Sequence, residues 1–314
     1  MHKTSLVTFF FNLKDLSDST DETRPLEFYL EKGKPTLQIN APMYIFCDKT
    51  TRPHLEELRN SLAKDAKTVY IERSISDYDH YNFIKDSLIK TYGNRNRRVT
   101  RSYFLTMTFK MVALLIASQR DDFKTPYFCW LDLGCSHVAP TNFQNAIEQI
   151  LQNPNTGVSV CSIHYHGAKE LEDTTEYCIN GKCGLAGTLL TADKIHITKL
   201  YPRYMRILYE HVEKCIWYSD EQILTYCYYR HPEIFNIYYG DYSSVLLNYH
   251  DINADWESID QFLIKEAMKV GDFTEAKQIA EKVKMSIDSK KIIVDPPVVQ
   301  YLNFIINGSV CFHS

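Results

Sequence analysis

Apolar positions in this chain fall into two kinds of grouping: short dense runs, and longer stretches where they recur every three or four residues. Dense runs occupy residues 5–13, 42–46, 67–71, 127–131, 158–163, 188–191 and 234–239, rich in Val, Ile, Thr, Phe and Tyr. Without clear alternation they read as strands buried on both faces of a sheet. Helical spacing covers 54–66 through Leu55, Leu58 and Leu62, then 78–93, 102–120, 141–152, 201–217 and 219–230. Strands alternating with helices over roughly the first 245 residues predict an α/β protein, with a mostly parallel central sheet flanked by helices. The polar stretch 14–35, with two prolines, reads as a surface excursion.

Past residue 250 the pattern changes. Residues 256–283 read as two helices broken at Gly271-Asp272, and Ala267, Phe273, Ala276 and Ala280 resemble one unit of a tetratricopeptide repeat. A single unit cannot bury its own apolar face. It must dock on the main body or on a partner, and the apolar stretch 292–306 is expected to pack back on the body. The expected division is a domain over 1–250 and a helical C-terminal extension over 251–314.

Certain positions in this pattern carry chemistry. The run 127–131 leads straight into Asp132, and an acid at the carboxyl end of a buried strand sits where open α/β sheets bind ligands. Asp-x-Gly is equally a plain turn former. Lys110 falls inside the apolar face formed by Phe104, Met107, Met111, Leu114, Leu115 and Ile116. Such a lysine usually snorkels to the surface; its alternative is a cation held beside a nucleotide. Thr141 is a candidate N-cap for 141–152. Ser219 is another for 219–230, and Asp220 and Glu221 suit that helix's dipole whether or not they do more. Gly181, Gly184 and Gly187 permit close backbone approach to a ligand, but not at the dinucleotide-binding spacing.

Composition narrows the partners. A net charge of −4, with one short basic run at 95–101, argues against nucleic acid. Tyrosines outnumber phenylalanines by 22 to 16, which supplies surfaces for stacking bases or sugars as readily as for a core. The nine cysteines follow no zinc spacing, so reduced thiols in a cytoplasmic setting are expected. Residues 6–13 are apolar but too short to cross a bilayer and lack a signal-peptide cleavage site, and no later window approaches a membrane span.

The runs YFCWLDLGCSH and SDEQILTYCYYRHPEIFNIYYGDYSSVLLNYH are similar to the HtrL/YibB family, which is grouped with the GT-A-type nucleotide-sugar glycosyltransferases. The resemblance implies a GT-A-like fold and transfer of a sugar from a nucleoside diphosphate donor, uridine-linked, to an acceptor it does not specify. It implies Mn2+ or Mg2+ to neutralise the diphosphate, held by Asp132 and His250. GT-A enzymes carry Asp-x-Asp at the strand end, whereas this chain has Asp132-Leu133-Gly134. The alternative is therefore that Lys110 or Arg101 substitutes for the ion; His137 is a weaker ligand candidate.

Asp220 and Glu221 match the acidic motif that faces the acceptor, taking its proton in an inverting enzyme or steadying the sugar in a retaining one. Gly187 matches the glycine loop that passes close to the donor sugar. Asp48, at the end of the second strand, is expected to touch the base or ribose. Competing readings are a nucleotide-sugar-binding protein that has lost turnover and a metal-dependent phosphate-ester hydrolase. A homodimer is a reasonable assembly.

Overall fold

A computed structural model describes residues 2–15, 24–79, 81–82, 100–179, 181–214 and 219–308. Seven strands form its core: β1 (Thr4–Phe10), β2 (Met43–Cys47), β3 (Thr68–Glu72), β4 (Tyr127–Leu131), β5 (Val158–Ser162), β6 (Leu185–Asp193) and β7 (Phe235–Tyr239). They make one sheet in the order β3-β2-β1-β4-β6-β5-β7. Every pairing is parallel except those of β6, which runs antiparallel to both β4 and β5. Reversal sets Leu189 opposite Leu131 and Leu185 opposite Ser162. The beginning of β6 therefore lies at the edge where its neighbours end.

Side chains of a strand point alternately to the two faces, and both faces here are covered. Along β1, Val7 and Phe9 enter one apolar cluster with Trp130, Phe104, Phe109 and Leu114. Leu6 and Phe10 enter the other, with Ile45, Leu131, Phe143 and Ile147. The helices over these faces are α1 (Leu26–Leu37), α2 (Arg52–Leu62), α3 (Arg101–Thr108), α4 (Lys110–Arg120), α5 (Cys135–Val138), α6 (Phe143–Gln152), α7 (Ala168–Glu172), α8 (Thr174–Ile179), α9 (Lys194–Glu213) and α10 (Asp220–Arg230).

Several local expectations are corrected. The stretch 14–35 is not all excursion, because α1 occupies its second half and continues through Pro35. The helix expected over 102–120 is two, α3 and α4, meeting at Phe109. Helix α6 is entered through Asn142 in the left-handed region, with no side-chain cap from Thr141. Ser219 precedes α10 in extended backbone but forms no side-chain cap; its hydroxyl lies 3.5 Å from Cys183 Sγ instead. Helix α9 begins earlier than its apolar spacing suggested, where Asp193 accepts from His196 N at 2.9 Å. Most of the helix expected over 78–93 lies outside the described residues.

Arg59 holds the sheet's other half together. It is 1% exposed, and its guanidinium donates to the carbonyls of Leu37, Ile39 and Ala41 at 2.6, 2.6 and 2.8 Å and to Thr68 Oγ1 at 3.1 Å. The loop entering β2 is thereby tied to α2 and to the start of β3. Burial pushes the Arg59 pKa down to about 10.

Beyond β7 the chain is helical. α11 (Trp256–Ile259) passes into a π-helical turn (Asp260–Ile264) and then into α12 (Lys265–Lys269); α13 (Phe273–Asp288) and α14 (Pro296–Ile306) follow. The break is made by Gly271, at φ +83°, and by Asp272, which caps Glu275 N. Ile259, Leu263, Ile279, Val283 and Leu302 form a third cluster that takes in Tyr239, so the tail packs on the sheet's β7 side.

Candidate active site

The charged residues gather at the carboxyl edge of β4. Asp132 is fastened there by its own N–H, which donates to Thr188 O at 3.0 Å across to β6. Trp130 Nε1 donates to Asp132 Oδ1 at 2.8 Å. Helix α4 opens with Lys110, only 6% exposed. Its ammonium lies 3.2 Å from Asp132 Oδ1 and 2.9 Å from Asp220 Oδ2, and donates to Gly187 O at 2.9 Å. An ammonium has three donors, and three acceptors meet them. Lys110 does not snorkel; burial in an apolar helix face is tolerated because two acids and a carbonyl stand opposite.

Asp220 and Glu221 form the first turn of α10, where the dipole favours negative charge. Glu221 Oε1 accepts from Gly187 N at 2.9 Å, and Oε2 accepts from Tyr242 Oη at 2.7 Å. Gly187 thus gives one backbone group to the cation and the other to an acid. A Cβ at this position would stand 2.5 Å from Asp220 Oδ2 and 2.9 Å from Lys110 Nζ, so only glycine fits.

The protonation equilibria respond to this crowding. Burial works against the Lys110 charge, but Asp132 and Asp220 outweigh it and hold its pKa above the ordinary lysine value. Burial raises Asp132, with Lys110 pulling it back and Asp220 adding to the rise. Glu221 is raised by burial and by the Asp220 charge, against the hydrogen bonds from Gly187 and Tyr242. Three carboxyl groups face one ammonium, so the cluster has no positive surplus to offer an anionic ligand.

Asp48, His137 and His250 make contacts of their own. Asp48 fastens the end of β2, accepting from Asn12 N, Thr50 N, Thr50 Oγ1 and Thr51 N at 3.1, 2.9, 2.6 and 2.8 Å. Burial opposes its charge, but these hydrogen bonds outweigh it and lower the pKa. Arg101 opens α3 on the surface. His137 is exposed, edge-on to Phe28 at 6.0 Å. His250 is exposed too, edge-on to Tyr249 at 4.8 Å, with Asp251 and Lys291 as charged neighbours. Among the described residues no ion pair or hydrogen bond joins His250 to Asp132, and no group of three or more His, Cys, Asp and Glu gathers as a ligand set.

A single carboxylate can still suit a hard divalent ion when a bound diphosphate and water supply the other oxygens. Asp132 meets that condition. Its Oδ1 is taken by Trp130 and Lys110, whereas among the described residues Oδ2 has no hydrogen bond or ion pair, and the side chain is 35% exposed.

Two participants carried no assigned role in the sequence reading. Tyr242 follows β7 and reaches back to Glu221, and the Trp130 indole both bonds Asp132 and lies 5.7 Å from Lys110 Nζ. Both are aromatic residues in aromatic-rich runs, with nothing in their spacing to separate them from core.

A mostly parallel seven-stranded sheet, reversed at one strand, covered by helices on both faces and carrying a charged cluster at its carboxyl edge, defines an α/β protein. Residues 2–249 match the family described as "Bacterial protein of unknown function (HtrL_YibB)", and the chain belongs to that family. No curated protein matches its sequence. Among solved structures it is similar to mouse xyloside xylosyltransferase 1 in its apo form, at 12% identity and a TM-score of 0.44, covering 74% of this chain and 83% of that one. It is also similar to 4-diphosphocytidyl-2C-methyl-D-erythritol synthase from Anaerococcus prevotii DSM 20548, at 11% identity and a TM-score of 0.37, covering 82% and 92%. Among the described residues no helix is long and apolar enough to cross a membrane.

Proposed function

We propose that this protein transfers a sugar from a nucleoside diphosphate sugar, uridine-linked, to a hydroxyl acceptor. The observation that carries the reading is the Lys110 ammonium held between Asp132 and Asp220, with Gly187 and Glu221 beside it, at the sheet edge where such folds bind ligands. In the reaction the bond from the anomeric carbon to the diphosphate breaks and one to the acceptor oxygen forms. The hydroxyl proton leaves to a carboxylate. Glu221 is the candidate, its pKa raised by burial and by the Asp220 charge. Asp220, paired with Lys110, holds the cluster together.

A divalent Mn2+ or Mg2+ bound at Asp132 Oδ2 would supply the positive charge that the cluster lacks toward a departing diphosphate. His250 does not adjoin that oxygen. Free thiols at Cys47, Cys129, Cys135, Cys161 and Cys178, all buried, support a reducing, cytoplasmic compartment. One observation favours a second reading, donor binding without turnover: both Glu221 oxygens already hold hydrogen bonds.

Thermal unfolding in the presence of a panel of nucleotide sugars, each with and without Mn2+, tests the proposal. A rise in Tm for one uridine-linked sugar, dependent on the ion and lost in Asp132→Ala, is expected. A rise that survives that substitution undiminished defeats the site assignment. Protection with neither transfer nor donor hydrolysis selects the second reading.

A further inference from the structure

Between the ends of β5 and β7 and the tail lies a cavity of about 240 Å3. His164, Tyr165, His166 and Tyr229 line it from the main body, and Asp272 and Glu275 from the tail. An adjoining space of about 630 Å3 shares Tyr165 and Asp272 with it.

The character of the cavity follows from which polar atoms are already used. Asp272 is engaged on both oxygens, accepting from Tyr165 Oη at 2.7 Å and from Glu275 N at 3.1 Å. Glu275 Oε1 accepts from Tyr239 Oη at 3.1 Å, leaving Oε2 as an acceptor. Burial and the nearby Asp272 charge raise the Glu275 pKa against that hydrogen bond. His166 is engaged, its Nδ1 lying 3.2 Å from Glu170 Oε2, and its Nε2 is shut off from the cavity with no accessible surface.

Thr225 connects this wall to the charged cluster. Its Oγ1 accepts from Gly184 N and Leu185 N, both at 3.1 Å. Along α10 it stands one turn beyond Glu221 on the same helix face.

We propose that this cavity seats the acceptor, a neutral polyhydroxylated ligand of the glycan type. Tyrosine rings present apolar faces to the C–H side of a sugar ring, and Glu275 Oε2 takes a hydroxyl. The volume lies just under the usual range for small-ligand pockets, which starts at roughly 300 Å3, and so suits one ring; the adjoining space takes the rest of a longer glycan. Acidic lining disfavours an anion, and engaged carboxylates leave little for a cation. The role as acceptor seat rests on the transferase reading, whereas the chemistry of the cavity does not.

Saturation-transfer NMR with methyl β-D-glucoside, methyl β-D-galactoside and methyl β-D-xyloside tests it, with putrescine as the cationic comparison. At least one glycoside is expected to bind, and to bind about tenfold more weakly to Glu275→Gln and to Tyr229→Ala. Tyr229 is 40% exposed, so its truncation leaves the fold intact. Uridine diphosphate protection should stay unchanged in both variants. The proposal is overturned if no glycoside binds, if binding ignores both substitutions, or if putrescine binds in their place. Glycoside binding that obeys both substitutions, in a protein that uridine diphosphate fails to protect, would support the cavity and sink the transferase reading.

Discussion

Lys110 Nζ stands 2.9 Å from Asp220 Oδ2, and this one contact joins α4, the helix that precedes β4, to α10, the helix that precedes β7. Both side chains are 8% exposed, so neither charge can fall back on water. Taking one member of a buried ion pair away costs about 3–5 kcal/mol, because the other is left uncompensated. Lys110→Met should show a loss of that order in urea unfolding. Lys110→Met combined with Asp220→Asn should recover part of it without recovering nucleotide protection. Unchanged stability in the single variant would mean that the pair is not formed.

Gly187 and Gly134 offer an internal comparison. An added methyl at Gly187 meets Asp220 Oδ2 and Lys110 Nζ inside contact distance, whereas at Gly134 it meets nothing within 4 Å. Gly187→Ala is expected to cost about 1–3 kcal/mol and to abolish nucleotide protection. Gly134→Ala should stay within about 0.5 kcal/mol of the parent. Equal behaviour of the two in thermal unfolding would contradict the packing described around Gly187.

Arg59 satisfies three carbonyls with one buried guanidinium. Arg59→Met fills similar volume but strands those acceptors, each stranded group costing about 1–3 kcal/mol. We expect a loss of at least about 3 kcal/mol by chemical denaturation, with glycoside binding retained in whatever fraction folds. A loss below 1 kcal/mol, on the order of one surface substitution, would show that water replaces the guanidinium.

His211 should make the protein acid-labile. It is 2% exposed, and burial pushes its pKa down to about 4, against the pull of the Ile207 carbonyl that Nδ1 faces at 2.8 Å. The unfolded chain binds this proton near the ordinary value of 6.5, so between there and about 4 the unfolded state holds more protons than the folded one. Stability from this group is therefore complete above 6.5 and drains away as pH falls through that window, by up to about 3 kcal/mol. His211→Phe keeps an aromatic ring against Tyr226 and should flatten the pH profile between those limits. An unchanged slope would assign the acid sensitivity to other groups.

If the ion sits on Asp132 without His250, His250→Ala should leave Mn2+-dependent protection within about twofold of the parent, as expected for a surface change. Asp132→Ala should remove it. Equal loss in both, read by titrating Mn2+ against Tm, would restore the histidine to the site.

The strands were legible because burial on both faces leaves short runs such as Tyr127–Leu131 and Val158–Ser162 free of charged residues and dense in apolar ones. What hid was direction and pairing. Nothing in the composition of β6 says that it runs backwards, and its Gly187 reads as loop because close approach to Lys110 and Glu221 removes the side chain from a strand. Helix α1 hid behind Gly33 and Pro35, which argue locally against helix and are overruled by packing; a Cβ on Gly33 would stand 2.7 Å from Leu133 Cγ. Asp132, Lys110, Gly187, Asp220 and Glu221 were each identifiable as residues. That one ammonium would hold two of the acids required the third dimension, since apolar spacing around Lys110 says only that its helix face is buried. Asp48 carried the right strand-end position and turned out to be bound up with its own turn.

Strand β6 is synthesised after β5 yet lies between β5 and β4. Until the ribosome has delivered it, β4 and β5 each keep an edge with unpaired backbone groups, the kind of surface on which chains associate wrongly. On arrival β6 seats the lone strand β5 on the half-sheet β3-β2-β1-β4. This places the slow, aggregation-exposed moment of biogenesis between the making of Ser162 and Asp193, and makes that interval the one in which a chaperone would have most to protect.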